Sequence, residues 1–260
     1  MRKKINSILV GGVITLLFLS SCASRKNVVY LQDAGRYETI TENATFSNKF
    51  KIDDVISIYV SSLDPQASAP FNLFKGGGIG NEGGGIRQEQ VDYLVDQDGM
   101  IDFPVLGKLQ VKGLTPDELR EMLRDKLSDY LKDPIINIRL QNFTVTVLGA
   151  VNRPGTYPVN GEQITILEAL GLAGDISLRG QRTNVLVIRD FNGNKLYTRI
   201  DLTTKNMTKS QVYYLTQNDV VYVEPNKTGI KETSLGANVN LTFQIISLLV
   251  TTGVILLTRL

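Results

Sequence analysis

The chain contains no histidine, no tryptophan and a single cysteine, Cys22, in 260 residues. Histidine is the side chain that most readily moves protons near neutral pH and the commonest zinc ligand, so its absence argues against most hydrolases. Carboxylate pairs and Ser-Lys dyads survive that argument. One cysteine cannot form an intrachain disulfide, and it cannot build a cysteine-based metal site. No Gly-Lys-Ser/Thr follows a glycine-rich stretch, which removes a Walker loop. Gly78-Ile-Gly80-Asn-Glu-Gly83 matches the dinucleotide pattern in letters only, because neither flank offers the strand-in, helix-out setting that lets helix amides hold pyrophosphate. Neither a cofactor nor a metal is expected.

Excess charge of either sign is also lacking, with 28 basic against 26 acidic residues. Three of the basic ones, Arg2, Lys3 and Lys4, precede an apolar run from Ile8 to Leu19, and Ser20 and Ser21 then lead into Cys22. This is the layout of a lipoprotein signal: positive, apolar, small, cysteine. Cleavage before Cys22 would free its amine, and palmitate-type acyl chains would anchor the protein stably, at about 0.8 kcal/mol per buried CH₂. No acidic residue directly follows Cys22, a pattern that favours the outer membrane over inner-membrane retention. Loss of residues 1–21 leaves 25 basic and 26 acidic residues in a mature chain of 239. The slight basicity therefore belongs to the leader, and no nucleic-acid surface is expected.

The mature chain, with hydrophobic content of 42% overall, is long enough for one or two cores. Residues 22–48 are polar and weakly patterned, a tether leading into the first domain, with Val28 to Leu31 its one short strand candidate. Residues 51–60 alternate as a strand. Residues 65–90 carry seven glycines and read as a mobile surface loop. Residues 93–105 suggest two strands joined at Asp98-Gly99, with Ile101, Phe103 and Val105 on one face. Thr115, Pro116 and Glu118 supply an N-cap, a first-turn proline and a capping box. Leu119, Met122, Leu123, Leu127, Tyr130 and Leu131 then recur at helical spacing up to Pro134. Ile136, Ile138 and Leu140 form the buried face of a following strand.

A second block opens with the strand 144–151, turns at Asn152-Arg153-Pro154-Gly155 and returns through Tyr157. Thr165 and Glu168 form another capping box, and Gly174 ends that helix. Residues 185–188, a turn at Asn192-Gly193, residues 196–200 and residues 220–223 add strands. The fold class is α+β: a small α+β domain over 49–141, then a sheet around one short helix over 142–226.

These residues resemble a known family. Lys51-Ile-Asp-Asp-Val-Ile-Ser-Ile58, Asp98-Gly-Met-Ile-Asp-Phe-Pro-Val-Leu-Gly107, Gly113-Leu-Thr-Pro-Asp-Glu-Leu119 and Asp133-Pro-Ile-Ile-Asn-Ile138 are similar to the polysaccharide export domain of Wza-like outer-membrane capsule exporters. Val147 to Tyr157, with Arg153-Pro154-Gly155 at its turn, resembles the β-grasp module called SLBB. The resemblance implies a homo-oligomeric ring, eight subunits in the best-known members, that serves as a passive conduit for capsular polysaccharide or exopolysaccharide. It also implies a C-terminal helical barrel across the outer membrane and an inner-membrane co-polymerase, often paired with a tyrosine kinase. The best-known exporters carry two or more β-grasp modules; one is found here, which implies a shorter periplasmic cavity.

The tail, residues 233–260, is expected to be the membrane-spanning helix. Its single charge is Arg259, and residues 241–258 would extend roughly 27 Å as a helix, enough for a thin bilayer. At 100° per residue Asn240, Gln244, Ser247, Thr251 and Thr258 fall within an arc of about 60°. A buried polar group without a partner costs roughly 2–7 kcal/mol, so this stripe needs water or neighbours. A hydrated lumen and polar glue between packed helices both satisfy it; the resemblance favours the lumen. Two other classes account for parts of the sequence. Asp53 and Asp54, or Asp96 and Asp98, form pairs on paper, yet strand alternation and turn preference explain them without catalysis. A monomeric periplasmic carbohydrate-binding lipoprotein is the alternative, and it leaves the striped tail unexplained.

Overall fold

The computed structural model describes residues 28–37, 39, 48–75, 89–191, 193–234, 244, 245, 247, 248, 251–253 and 255. Cys22, Asn240, Thr258 and the glycine cluster at 76–85 lie outside them. The described residues form an α+β structure with two hydrophobic cores, one centred on Ile56, Phe103 and Leu119, the other on Val147, Ile166 and Val187.

The first domain is built on β1 (Val55–Ser61). Strict alternation buries Ile56, Ile58 and Val60 completely, as period-two geometry requires. After a short helix, α1 (Pro65–Ser68), a 3-10 turn at Ala69–Phe71 puts Phe71 in the core. Asn72 then bonds both ways to Val60, accepting its N–H at 2.9 Å and donating to its carbonyl at 2.7 Å. Strands β2 (Phe74–Lys75) and β3 (Glu89–Gln90) pair with each other. The two ends of the expected 65–90 loop are thus structured, because buried Phe71 and Asn72 tie the chain to β1.

Strand β4 (Tyr93–Leu94) joins β1, whereas β5 (Met100–Phe103) pairs with β6 (Gly107–Gln110). The turn at Asp98-Gly99 is real, with Gly99 at φ 80° and Asp96 accepting from the Asp98 and Met100 amides. The ladder partner of β5 is nevertheless β6 rather than β4. Val105 sits in the β5–β6 turn at φ 66° and is 57% exposed, so it leaves the face shared by Ile101 and Phe103.

Helix α2 (Pro116–Leu127) has the full capping box: the Glu118 amide donates to Thr115 Oγ1 at 3.2 Å and the Thr115 amide to Glu118 Oε2 at 2.7 Å. Leu119, Leu123 and Leu127 are fully buried, each contributing about 1.5–3 kcal/mol. The helix stops at Leu127, well before Pro134. The Tyr130 and Leu131 amides both turn back to the Leu127 carbonyl, which buries Leu131 and leaves Tyr130 exposed. β7 (Ile135–Leu140) completes the sheet β4-β1-β7.

The second domain carries a five-stranded sheet in the order β12-β11-β14-β8-β9. Its strands are β8 (Thr144–Gly149), β9 (Gly155–Pro158), β11 (Gly180–Phe191), β12 (Asn194–Ile200) and β14 (Val220–Pro225). β14 runs parallel to β8 and the other pairings are antiparallel. Phe191 opposite Asn194 sets a two-residue hairpin with Gly193 at φ 82°. Helix α3 (Ile166–Leu172) packs Ile166, Ala169 and Leu170 onto the sheet, and Thr165 and Glu168 close its capping box. A small ladder of β10 (Ile164–Thr165) with β13 (Tyr214–Leu215) flanks it. Helix α4 (Lys227–Ser234) follows β14.

No helix among the described residues is long and apolar enough to cross a membrane. Within the tail, residues 244, 245, 247, 248, 251–253 and 255 are helical.

Candidate functional site

Both ends of the described body leave from the second domain. Residues 28–33 do not form a strand and do not lead directly into the first domain. Instead Leu31 and Gln32 donate to the Leu202 and Thr203 carbonyls at 3.3 and 2.7 Å. The Tyr30 hydroxyl donates to Asp175, and the Arg182 guanidinium lies 5.2 Å from the Tyr30 ring centre. Burial and the Asp175 carboxylate together push the Tyr30 phenol up to about 12. At the other end, the Asn226 amide donates to the Arg179 carbonyl and its side chain to the Leu178 carbonyl at 2.9 Å, seating the start of α4 beside the 177–180 turn.

The Arg153-Pro154-Gly155 turn lies on the same domain and is occupied structurally. The Arg153 amide donates to the Ala173 carbonyl at 2.8 Å, and its guanidinium to the Leu172 carbonyl at 3.1 Å. The Asn152 side chain donates to the Gly174 carbonyl at 2.6 Å. A cation on the last carbonyls of α3 suits the helix dipole there. The turn is thus a C-terminal clamp on α3.

The two domains are joined by a few directed bonds. Asn142, between β7 and β8, accepts the Val55 N–H at 2.9 Å and donates to the Asp53 carbonyl at 2.9 Å. Lys51 reaches from the first domain to Thr216 Oγ1 of the second at 3.3 Å. Thr216 in turn donates to Asp219, which is fully buried and holds Arg189. Burial pulls the Lys51 ammonium below its usual range, while Asp219 and Asp54 oppose the shift. Asp54 is buried and accepts the Lys51 N–H at 2.9 Å. Burial pushes its carboxyl up to about 6. Its neighbour Asp53 sits exposed at φ 68°. The pair therefore shares no site, and neither do Asp96 and Asp98, whose turn Asp96 caps. Among the described residues no cluster of His, Cys, Asp or Glu could hold a metal ion.

Beside this joint lies a cleft of about 410 Å³ whose walls come from both domains. Asn137 and Arg139 project from the exposed positions of β7, Arg120 from the first turns of α2, and Asn160 and Glu162 from the loop before β10. Nothing in local periodicity marks these residues; the contact between domains assembles them.

In the tail, Gln244, Ser247 and Thr251 are exposed. Ser247 donates to the Gln244 carbonyl at 2.9 Å, Thr251 to that of Ser247, and Thr252 to that of Leu248 at 2.7 Å. Those hydroxyl protons are satisfied within the helix, so the stripe is cheaper to bury than its composition implies. Among the described residues of the stripe, the demand for water or neighbours falls on the carboxamide of Gln244.

Residues 43–141 match the model of the polysaccharide biosynthesis/export protein family, and residues 144–223 match that of the SLBB domain. The two matches together support a polysaccharide export protein. It is 27% identical over 139 residues to the EPS I polysaccharide export outer membrane protein EpsA of Ralstonia solanacearum, covering 52% of this chain and 36% of that protein. To the corresponding protein of Ralstonia nicotianae it is 31% identical over 110 residues, 41% of this chain and 28% of that one. To the capsule polysaccharide export outer membrane protein CtrA of Neisseria meningitidis serogroup A it is 29% identical over 192 residues, 72% of this chain and 46% of that one. The chain thus spans less than half the length of the curated relatives it matches. Within these matches, the export domain supplies β1 to β7, and the SLBB domain supplies the surface from which both ends of the described body depart.

Proposed function

We propose that this protein is a subunit of an outer-membrane conduit that exports capsular polysaccharide or exopolysaccharide, and that it performs no catalysis itself. One observation carries the geometry: the segment behind Cys22 and the segment before the tail are both docked on the second domain. Tyr30 lies eight positions after Cys22, a reach of at most roughly 28 Å. A lipid anchor at Cys22 and a spanning helix over 233–260 can therefore enter the same membrane, leaving the export domain as the far end of the molecule in the periplasm. The names of the relatives, export proteins of the outer membrane for capsule or EPS I polysaccharide, support the cargo and the location.

In this reading identical subunits, eight by family resemblance, form a ring. Their tails line a hydrated bore with Asn240, Gln244, Ser247, Thr251 and Thr258, and an inner-membrane co-polymerase, with its tyrosine kinase, docks at the export domains. A bore lined by hydroxyls and carboxamides lets hydroxyl-rich chains pass without tight binding. The experiment is labelling by an aqueous thiol reagent of Ser247→Cys and Leu249→Cys, each with Cys22 intact and acylated, in cells exporting glycan. Modification of the first alone supports the bore; equal modification of both contradicts it. Microscopy of the detergent-extracted protein should show closed rings, and a uniform monomer would instead favour a carbohydrate-binding lipoprotein.

A further inference from the structure

The cleft between the domains has a composition that neither core needs. Lys49, Arg120 and Arg139 line it against a single carboxylate, Glu162. Arg120 shares its charge with Asp117, which is 80% exposed at the start of α2, whereas Arg139 makes no side-chain hydrogen bond or ion pair among the described residues. Carboxamides come from both sides: Asn48 and Asn137 from the first domain, Asn160 from the second. Asn48 spans the joint by donating to the Glu162 carbonyl at 2.8 Å, yet its Oδ1 is buried without a partner. Phe50 and Phe143, buried in the two cores, back the cleft.

Each part has a chemical counterpart. Guanidinium groups hold carboxylates through paired, charge-assisted hydrogen bonds. Planar carboxamides present a donor and an acceptor side by side, which matches neighbouring hydroxyls on a sugar ring. Neighbouring ring hydroxyls can pair with the carboxamides of Asn137 and Asn160 on the two walls. The volume, about 410 Å³, lies in the range of small-ligand sites and suits roughly one or two sugar rings. We infer that the interdomain cleft binds a short segment of a carboxylate-bearing glycan, such as one containing a uronic acid. This rests on the export reading and specifies the substrate class that reading leaves open. Because the walls belong to different domains, an occupied cleft also holds the export domain and the SLBB domain in their observed relation.

The test is isothermal titration of the full-length protein in detergent with digalacturonate, with neutral cellobiose, and with succinate, which has the carboxylates but no sugar. Saturable binding of digalacturonate is expected at millimolar concentration, with cellobiose and succinate at least about tenfold weaker. Arg139→Gln, at an exposed strand position, should weaken digalacturonate binding about tenfold or more. Asn160→Ala, on the opposite wall, should weaken it severalfold. Absence of saturable digalacturonate binding, equal binding of succinate, or indifference to both substitutions overturns the assignment. Surface glycan measured with and without the gene separates the two readings. Glycan loss on deletion, without digalacturonate binding, overturns the cleft alone. Saturable binding with export indifferent to deletion supports the cleft and removes the export role.

Discussion

Arg189 grips Asp219 with two donors: Nε lies 3.1 Å from each carboxylate oxygen and Nη2 lies 2.7 Å from Oδ2. Asp219 is completely buried and also accepts the Thr216 amide and hydroxyl, at 2.8 and 3.0 Å. Thr216 is the residue that Lys51 of the first domain reaches. One fully satisfied carboxylate thus fixes the β13–β14 turn and presents it to the export domain.

Arg189→Leu removes the cation and strands that carboxylate. Breaking a buried pair from one side costs about 3–5 kcal/mol. Thermal unfolding of the detergent-solubilised protein should show a large loss of stability, whereas Lys195→Ala, at the exposed Lys195–Asp190 pair, should change stability by less than about 1 kcal/mol.

Asp54 makes stability depend on pH. Its carboxyl rises from 3.8 to about 6 on folding because burial disfavours the charged form. The folded state therefore holds the proton more tightly than the unfolded state. Its contribution is fully present below pH 3.8 and declines as pH rises through about 6. Asp54→Asn keeps an acceptor for the Lys51 amide and removes this titration. The variant should lose the downward slope across that window and gain up to roughly 3 kcal/mol at neutral pH, read from urea unfolding at a series of pH values.

Gly149 ends β8 at φ 89°, and a Cβ there would stand 2.1 Å from the Val223 carbonyl oxygen. Gly113 has nearly the same φ, 86°, with open space around it. Gly113→Ala should cost only the left-handed strain, about 1–2 kcal/mol. Gly149→Ala adds a backbone clash inside the parallel β8–β14 pairing and should cost about 3 kcal/mol or more. Melting temperatures of the two variants, measured side by side, check this order.

The tail's modest apolarity has a consequence for sorting. If the tail spans the membrane as proposed, replacing Gln244, Ser247 and Thr251 together with Leu should make it stop in the inner membrane during secretion. Sucrose-gradient fractionation should show the triple variant shifted from outer to inner membrane. An unchanged distribution would mean that the polar stripe plays no part in sorting.

Features carried by a few adjacent residues were legible from sequence. Thr115 with Glu118, Thr165 with Glu168 and Gly193 each close a local bond pattern whose chemistry is written within four residues, and each is present. Strand faces such as Ile56, Ile58 and Val60 were legible for the same reason, since alternation alone assigns them. The β5–β6 hairpin was not, because its turn places Val105, a β-branched residue, at positive φ without the usual glycine signal there. Helix α2 ends early because Leu131 is drawn into the core by a turn onto the Leu127 carbonyl, a tertiary gain that helical spacing does not encode. The docking of Tyr30 on Asp175 and Arg182 joins residues about 150 positions apart. The cleft and the Lys51–Thr216 link likewise exist only once two domains meet, although Asn142, placed between two strand patterns, marks where they do.

In the proposed assembly, the tails of neighbouring copies form the route by which glycan leaves through the outer membrane. The most direct measurement is surface polysaccharide on cells whose chromosomal copy ends after Ser234, with the truncated protein verified at normal abundance in the outer-membrane fraction. The anchored body should persist while surface glycan falls to the level of a full deletion. Undiminished surface glycan on those cells would contradict that assembly.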